Sequence, residues 1–114
     1  PIHTNSLFNN LIGKNVYFKC DNFQKTGSFK IRGALNSVLN RFSAENLTKN
    51  EYLKGCATHS TGNHGAAVAW ACNYIKTPCY VILPTNVPQV KIDLVKNYNA
   101  NIVFCDPTPK ARIE

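Results

Sequence analysis

Apolar and polar positions along the chain follow two periods, helical in the first half and alternating between helix and strand in the second. The run VYFKC at 16–20 is short and β-rich, which predicts a strand. Residues 21–27 are polar. Beyond them Phe29, Ala34, Leu35, Val38, Leu39 and Phe42 recur at helical spacing, and Ser28 stands where an N-cap would stand. Gly33 within that stripe costs a helix about 1 kcal/mol against Ala, a sign that something else approaches closely there. Residues 41–54 are polar and predict a connection containing one short helix. From 55 onward the pattern changes. GCATH (55–59) predicts a buried strand, STGNHG (60–65) a turn-rich loop, and 66–75 a strongly apolar helix containing Trp70 and ended by Pro78. CYVIL (79–83) predicts a second strand and 84–88 a loop. Pro88 is placed to open the next helix, where its missing N–H is not needed. That helix runs to about Tyr98. NIVFC (101–105) predicts a third strand, and 110–114 read as a helix just begun.

Strand–helix–strand–helix–strand alternation implies an α/β fold with an open parallel sheet, right-handed crossovers and helices on both faces. In such sheets ligands bind at the carboxyl ends of the strands. The loops 60–65 and 84–88 both lie there.

Composition narrows the picture. A chain of 114 residues builds one small core and not two full domains. It begins with Pro1 and carries no stop signal after Lys110, so it reads as part of a longer protein that is incomplete as a fold. No apolar run approaches the roughly 20 residues of a membrane-spanning helix, and no signal peptide or transit segment is present. The five cysteines form no C-x-x-C pair and sit in apolar stretches, which argues against a disulfide framework or a zinc site and for a reducing cytoplasm. The net charge of +7 is scattered and not gathered in a block. It therefore suits an enzyme that handles anions better than a nucleic-acid surface.

Two short motifs carry candidate chemistry. KTGSFKIRG (25–33) puts Lys30 in the first turn of a helix. A lysine that bonds to a carbonyl must shed its proton, and a positive helix end with Lys25 and Arg32 nearby is the setting that such chemistry needs. STGNHG (60–65) joins a strand to a helix. The N–H groups of that helix start and the hydroxyls of Ser60 and Thr61 make an anion site for a carboxylate or a phosphate. Its spacing matches neither the Walker loop nor the dinucleotide fingerprint. Taken singly, the first motif also fits a solvated helix lysine and the second an ordinary polar loop.

Taken together and in this order, SFKIRG and STGNHG resemble the fold-type II pyridoxal-phosphate (PLP) enzymes, whose architecture is that of the tryptophan synthase β chain. The most similar branch is the serine racemase and threonine/serine dehydratase family. The resemblance runs from PIHTNS at the start through FKCDNFQKTGSFK to YNANIVFC at 98–105. It implies that 1–54 belong to the large PLP-binding domain and that 55–114 begin the small α/β domain. It implies that Lys30 carries the cofactor, that Phe29 packs beside its ring and that Asn63 bonds the ring's 3-oxygen. Ser60, with Thr61, Asn63 and His64, would hold the substrate carboxylate. Ser6, Lys25, Thr26 and Tyr98 match positions that contact an activating nucleotide in the racemase branch. A homodimer acting on a small amino acid is the implied assembly.

The implied reaction is elimination of the β-hydroxyl of L-serine or L-threonine, yielding an α-keto acid and ammonia, with Lys30 as general base. Racemisation needs a second acid/base on the opposite face. The racemase pattern has a serine where this chain has Thr61, whose methyl group stiffens χ1, and this favours elimination. The family's glycine-rich phosphate loop is not found in these 114 residues, so the chain alone is expected to hold PLP poorly and to be inactive. A non-catalytic scaffold, or cysteine or threonine synthesis on the same fold, are the alternatives.

Overall fold

In the computed structural model the described residues are 1–43, 48–108 and 110–112. Residues 44–47 of the predicted connection and 113–114 of the predicted C-terminal helix lie outside them. Two elements near the start are not predicted by the pattern. β1 (Ile2–His3) pairs antiparallel with β2 (Phe18–Lys19), Ile2 opposite Lys19. Between them runs α1 (Ser6–Ile12). The Asn5 side chain accepts from the Phe8 N–H at 2.9 Å, and Gly13 closes the helix in the left-handed conformation at φ 65°. No residue of α1 is buried.

α2 (Lys30–Phe42) forms where the stripe predicts a helix, but Ser28 does not cap it. Phe29 already holds helical angles (φ −63°, ψ −17°), and its carbonyl accepts from the Arg32 N–H at 3.1 Å. An N-cap side chain works from an extended residue. Here the chain winds too early for that, and the Ser28 hydroxyl turns inward, buried and without a hydrogen-bond partner. Ile31, Ala34 and Val38 are the buried face, whereas Phe29 and Leu39 stay exposed.

α3 (Lys49–Lys54) opens on a capping box between Thr48 and Glu51. β3 (Cys56–His59), α4 (Asn63–Tyr74), β4 (Cys79–Pro84), α5 (Gln89–Lys96) and β5 (Asn101–Cys105) then follow as predicted in kind, but β3 is not the buried strand expected: at the edge of the described sheet its residues alternate half-buried and exposed. The three strands form a parallel sheet in the order β3-β4-β5, with Cys56 opposite Cys79 and Tyr80 opposite Asn101. The last described residues, Lys110–Arg112, form a single 3₁₀ turn.

α4 differs from its prediction at both ends. It starts at Asn63, three residues early, because Gly62 in extended conformation already delivers the chain into the helix. It stops before Pro78. Lys76 takes φ 61°, its N–H bonds the Asn73 carbonyl at 3.2 Å and the Thr77 N–H bonds the Cys72 carbonyl at 3.0 Å. This pair of bonds is a Schellman closure.

The middle of α4 is small and apolar: Gly65, Ala66, Ala67, Val68, Ala69, Ala71 and Cys72 are all buried. Such a helix can be approached from several sides, and it packs against α2, β3, β4 and α5. The core accordingly runs without interruption from Ile31, Ala34 and Val38 of α2 through α4 to Val81 and Leu83 of β4. This packing sets the start of α2 beside the start of α4. No helix among the described residues is long and apolar enough to cross a membrane.

Candidate functional site

Lys30 opens α2 and is exposed. Its Nζ lies 4.8 Å from the centroid of the Phe29 ring, itself 60 % exposed. The next residue, Ile31, points into the core at 5 % exposure, and Arg32 reaches back to Asp21 at 3.8 Å. The amine is thus presented outward just ahead of two anchored residues. It faces a cavity of about 330 Å³ lined by Phe29, Lys30, Gly33, Ser37, Val38 and His64, with Ala34 and Val68 at the back. That volume is within the range of small-ligand pockets, on the order of 300–1,000 Å³.

The second motif stands at the carboxyl end of β3. The Ser60 N–H continues the ladder to the Ile82 carbonyl at 3.3 Å, and the Ser60 Oγ accepts from the Gly62 N–H at 3.2 Å. That leaves the Ser60 O–H itself as a donor. Thr61, Asn63 and His64 are exposed. No side chain caps α4 and no acidic residue occupies its first turn. Its leading N–H groups and its positive dipole end therefore face outward, as an anion requires. Gly65 makes the close approach possible. A Cβ there would lie 3.1 Å from the Ser60 carbonyl oxygen and 3.2 Å from Val81 Cγ1.

Of the residues singled out in the sequence, Phe29, Lys30 and His64 share the cavity wall. Ser60, Thr61 and Asn63 are not in that wall and occupy the loop and helix start next to His64. The remaining set divides. The Tyr98 hydroxyl donates to the Lys25 carbonyl at 3.0 Å, and Thr26 next to it is buried with an unpartnered hydroxyl. Ser6 is exposed at the start of α1, and no hydrogen bond among the described residues joins it to those three.

Two cavity residues escape the motif reading. Ser37 and Val68 carry no signature of their own. Counting from Lys30 along α2, Gly33, Ala34 and Ser37 fall at i+3, i+4 and i+7, and so share its face; that spacing is the signal that would have found Ser37. The close approach expected at Gly33 is not present among the described residues: a Cβ there would meet nothing within 4 Å, and the position opens on the cavity.

All five cysteines are free. Burial, and then the adjacent Cys72 thiol, push Cys56 up to about 12. Cys72 is raised as well, by its hydrogen bond with Cys79 and by burial. These thiols are protonated at neutral pH and are poor nucleophiles.

A family model described as pyridoxal-phosphate dependent enzyme matches residues 1–114. The serine racemase of Dictyostelium discoideum is 45% identical over 112 residues, covering 98% of this chain and 33% of that protein. The beta-hydroxyaspartate dehydratase of Paracoccus denitrificans is 40% identical over 114 residues, covering 100% of the chain and 34% of that protein. The solved structure of processed threonine deaminase isoform 2 from Solanum lycopersicum superposes with a TM-score of 0.83 at 33% identity, over 98% of this chain and 31% of that one. The chain spans about a third of the length of these relatives.

Proposed function

This chain belongs to the pyridoxal-phosphate dependent enzyme family, and from that premise we propose that the protein containing it eliminates the β-hydroxyl of L-serine or L-threonine with Lys30 as its central residue. The observation that carries the reading is the outward Lys30 amine, 4.8 Å from the Phe29 ring, at the mouth of a cavity it shares with His64. The residues fit the cofactor. An aromatic face, a primary amine and the free space beside Gly33 suit a flat pyridine ring and its aldehyde carbon.

When bound, pyridoxal phosphate supplies an electron sink for charge developing at the substrate α-carbon. The protein's own residues do the rest. Lys30 Nζ would hold the cofactor and would serve as general base for the substrate α-proton. Phe29 would lie beside the ring and Asn63 would offer it a hydrogen bond. The Ser60 hydroxyl, with the N–H groups leading into α4 around Thr61 and His64, binds the substrate carboxylate. The β-hydroxyl leaves as water with one proton, and one water adds back at the α-carbon as ammonia departs, so serine yields pyruvate and ammonia, and threonine 2-oxobutanoate and ammonia. The serine racemase and dehydratase relatives support this class of substrate. Elimination outweighs racemisation, because Thr61 stands where a racemase carries serine as its second acid/base.

The cavity supplies only Lys30, Ser37 and His64 as polar side chains, so the cofactor phosphate takes its main ligands from outside these 114 residues. The chain alone holds the cofactor weakly and does not turn over. In the whole protein 1–54 belong to the large domain and 55–114 open the small one. Lys25, Thr26, Tyr98 and Ser6 contact an activating nucleotide at the interface of a homodimer. Five free thiols suit a reducing cytoplasm. Assaying the full-length enzyme for keto acid release from L-serine and L-threonine tests the proposal. Release of pyruvate or 2-oxobutanoate supports it; a cofactor-loaded enzyme that releases neither would rule out the elimination.

A further inference from the structure

The first turn of α2 must aim the Lys30 amine, yet it lacks the usual means of fixing a helix start. Phe29 gives no side-chain cap, the first turn carries no acidic residue, and the Ser28 hydroxyl is buried and unpartnered. Besides the backbone bond from the Arg32 N–H to the Phe29 carbonyl and the buried face that continues through Ala34 and Val38, two side-chain contacts sit on the residues that follow the lysine. Ile31 is sunk in the core at 5 % exposure. Arg32 places Nη1 at 3.8 Å from Asp21 Oδ1.

That Asp21 oxygen is shielded from solvent and has no hydrogen-bond partner. A shielded carboxylate oxygen needs a compensating charge, and Arg32 is the cation beside it. Asp21 is itself held in place. It starts a one-turn 3₁₀ helix (Asp21–Phe23), its carbonyl accepts from the Gln24 N–H at 3.2 Å, and the Cys20 N–H bonds the Pro1 carbonyl at 3.0 Å.

Successive helix residues project about 100° apart. Ile31, with Ala34 and Val38 on the same buried face, sets the depth of the helix, and Arg32, one residue on, ties a different side of its first turn. Resting on the cofactor reading of Lys30, we infer that Asp21 is a positioning residue which, through Arg32, fixes the rotation of the first turn of α2 and so the aim of the Lys30 amine. It touches neither cofactor nor substrate.

The test uses the full-length, cofactor-loaded enzyme and its Asp21→Asn and Asp21→Glu variants. Three quantities are read: visible absorbance, the circular dichroism of the same band, and kcat apart from KM. Asp21→Asn keeps the absorbance, loses dichroism because the ring is no longer held in one orientation, and drops kcat on the order of 10²-fold at unchanged KM, as a misplacement of about 1 Å does. Asp21→Glu restores most of both. Should Asp21→Asn fail to fold, Arg32→Gln breaks the same contact from its half-exposed partner and is read by the loss of dichroism, because removing the Arg32 charge also alters the surroundings of Lys30. Wild-type dichroism and kcat in Asp21→Asn or Arg32→Gln overturn the inference while leaving the cofactor assignment standing. A wild-type enzyme without any cofactor band overturns both.

Discussion

Tyr98 and Lys25 lie 73 positions apart and are joined directly: the phenolic hydroxyl donates to the Lys25 backbone carbonyl at 3.0 Å. The bond fastens the segment just past α5 to the segment leading into the Lys30 turn. Removing it in Tyr98→Phe should cost about 0.5–1.5 kcal/mol, the net value of one hydrogen bond. The variant should also weaken activation by a nucleotide, if the Lys25–Thr26 segment is where one binds. Urea denaturation and a nucleotide titration of the full-length enzyme measure the two effects. Unchanged stability would mean that the bond contributes nothing.

Gly65 allows α4 to start against the Ser60 loop. Gly65→Ala pushes a methyl group to within 3.1 Å of the Ser60 carbonyl oxygen and 3.2 Å of Val81 Cγ1. Overpacking of this kind typically costs about 1–3 kcal/mol. Because Ser60 must move to relieve it, KM for the amino-acid substrate should rise together with the loss of stability. A destabilised variant with wild-type KM would separate the loop from substrate binding.

What could be read from the sequence follows from how each element is held. α4 and β4 were legible because each buries an apolar run, and burial leaves its period in the sequence. β3, α5 and β5 were legible from their apolar residues although β3 and β5 have no buried residue and α5 buries only Val95. β1 and α1 were not. Leu7 and Leu11 are 79% and 83% exposed, so their helical spacing meets no core within these residues. Ser28 misled for a different reason. Its residue type fits an N-cap, but the backbone had already turned helical at Phe29, and conformation outranks residue type there. Lys30 and the 60–65 loop were legible as motifs. Their meeting across the α2–α4 packing, the Ser37 wall and the Asp21–Arg32 contact depend on tertiary structure.

Cys56 makes stability depend on alkaline pH. Burial raises its thiol from the ordinary 9.0 to about 12. A group raised in the folded state stabilises fully below its unfolded value and loses that contribution as pH climbs through the folded one. Between pH 9 and 12 the wild type should therefore lose stability faster than Cys56→Ala. The difference in urea midpoint between the two proteins, followed across that window, isolates the thiol from lysines and tyrosines that titrate in both. A constant difference would show that Cys56 ionises alike in both states.

Thr61→Ser in the full-length enzyme removes the methyl group that stiffens χ1 and leaves the hydroxyl free to reach the α-carbon. D-serine formation from L-serine should rise relative to pyruvate, as read by chiral chromatography of the products. An unaltered ratio would place the second acid/base elsewhere.

The central claim is that Lys30 holds the cofactor. The most direct measurement is the visible spectrum of the purified full-length enzyme and of Lys30→Ala, each with and without L-serine. A cofactor band is expected in the wild type that shifts on adding L-serine and is followed by pyruvate, and no protein-bound band of that kind in Lys30→Ala. A Lys30→Ala enzyme that keeps the wild-type band and still releases pyruvate would contradict it.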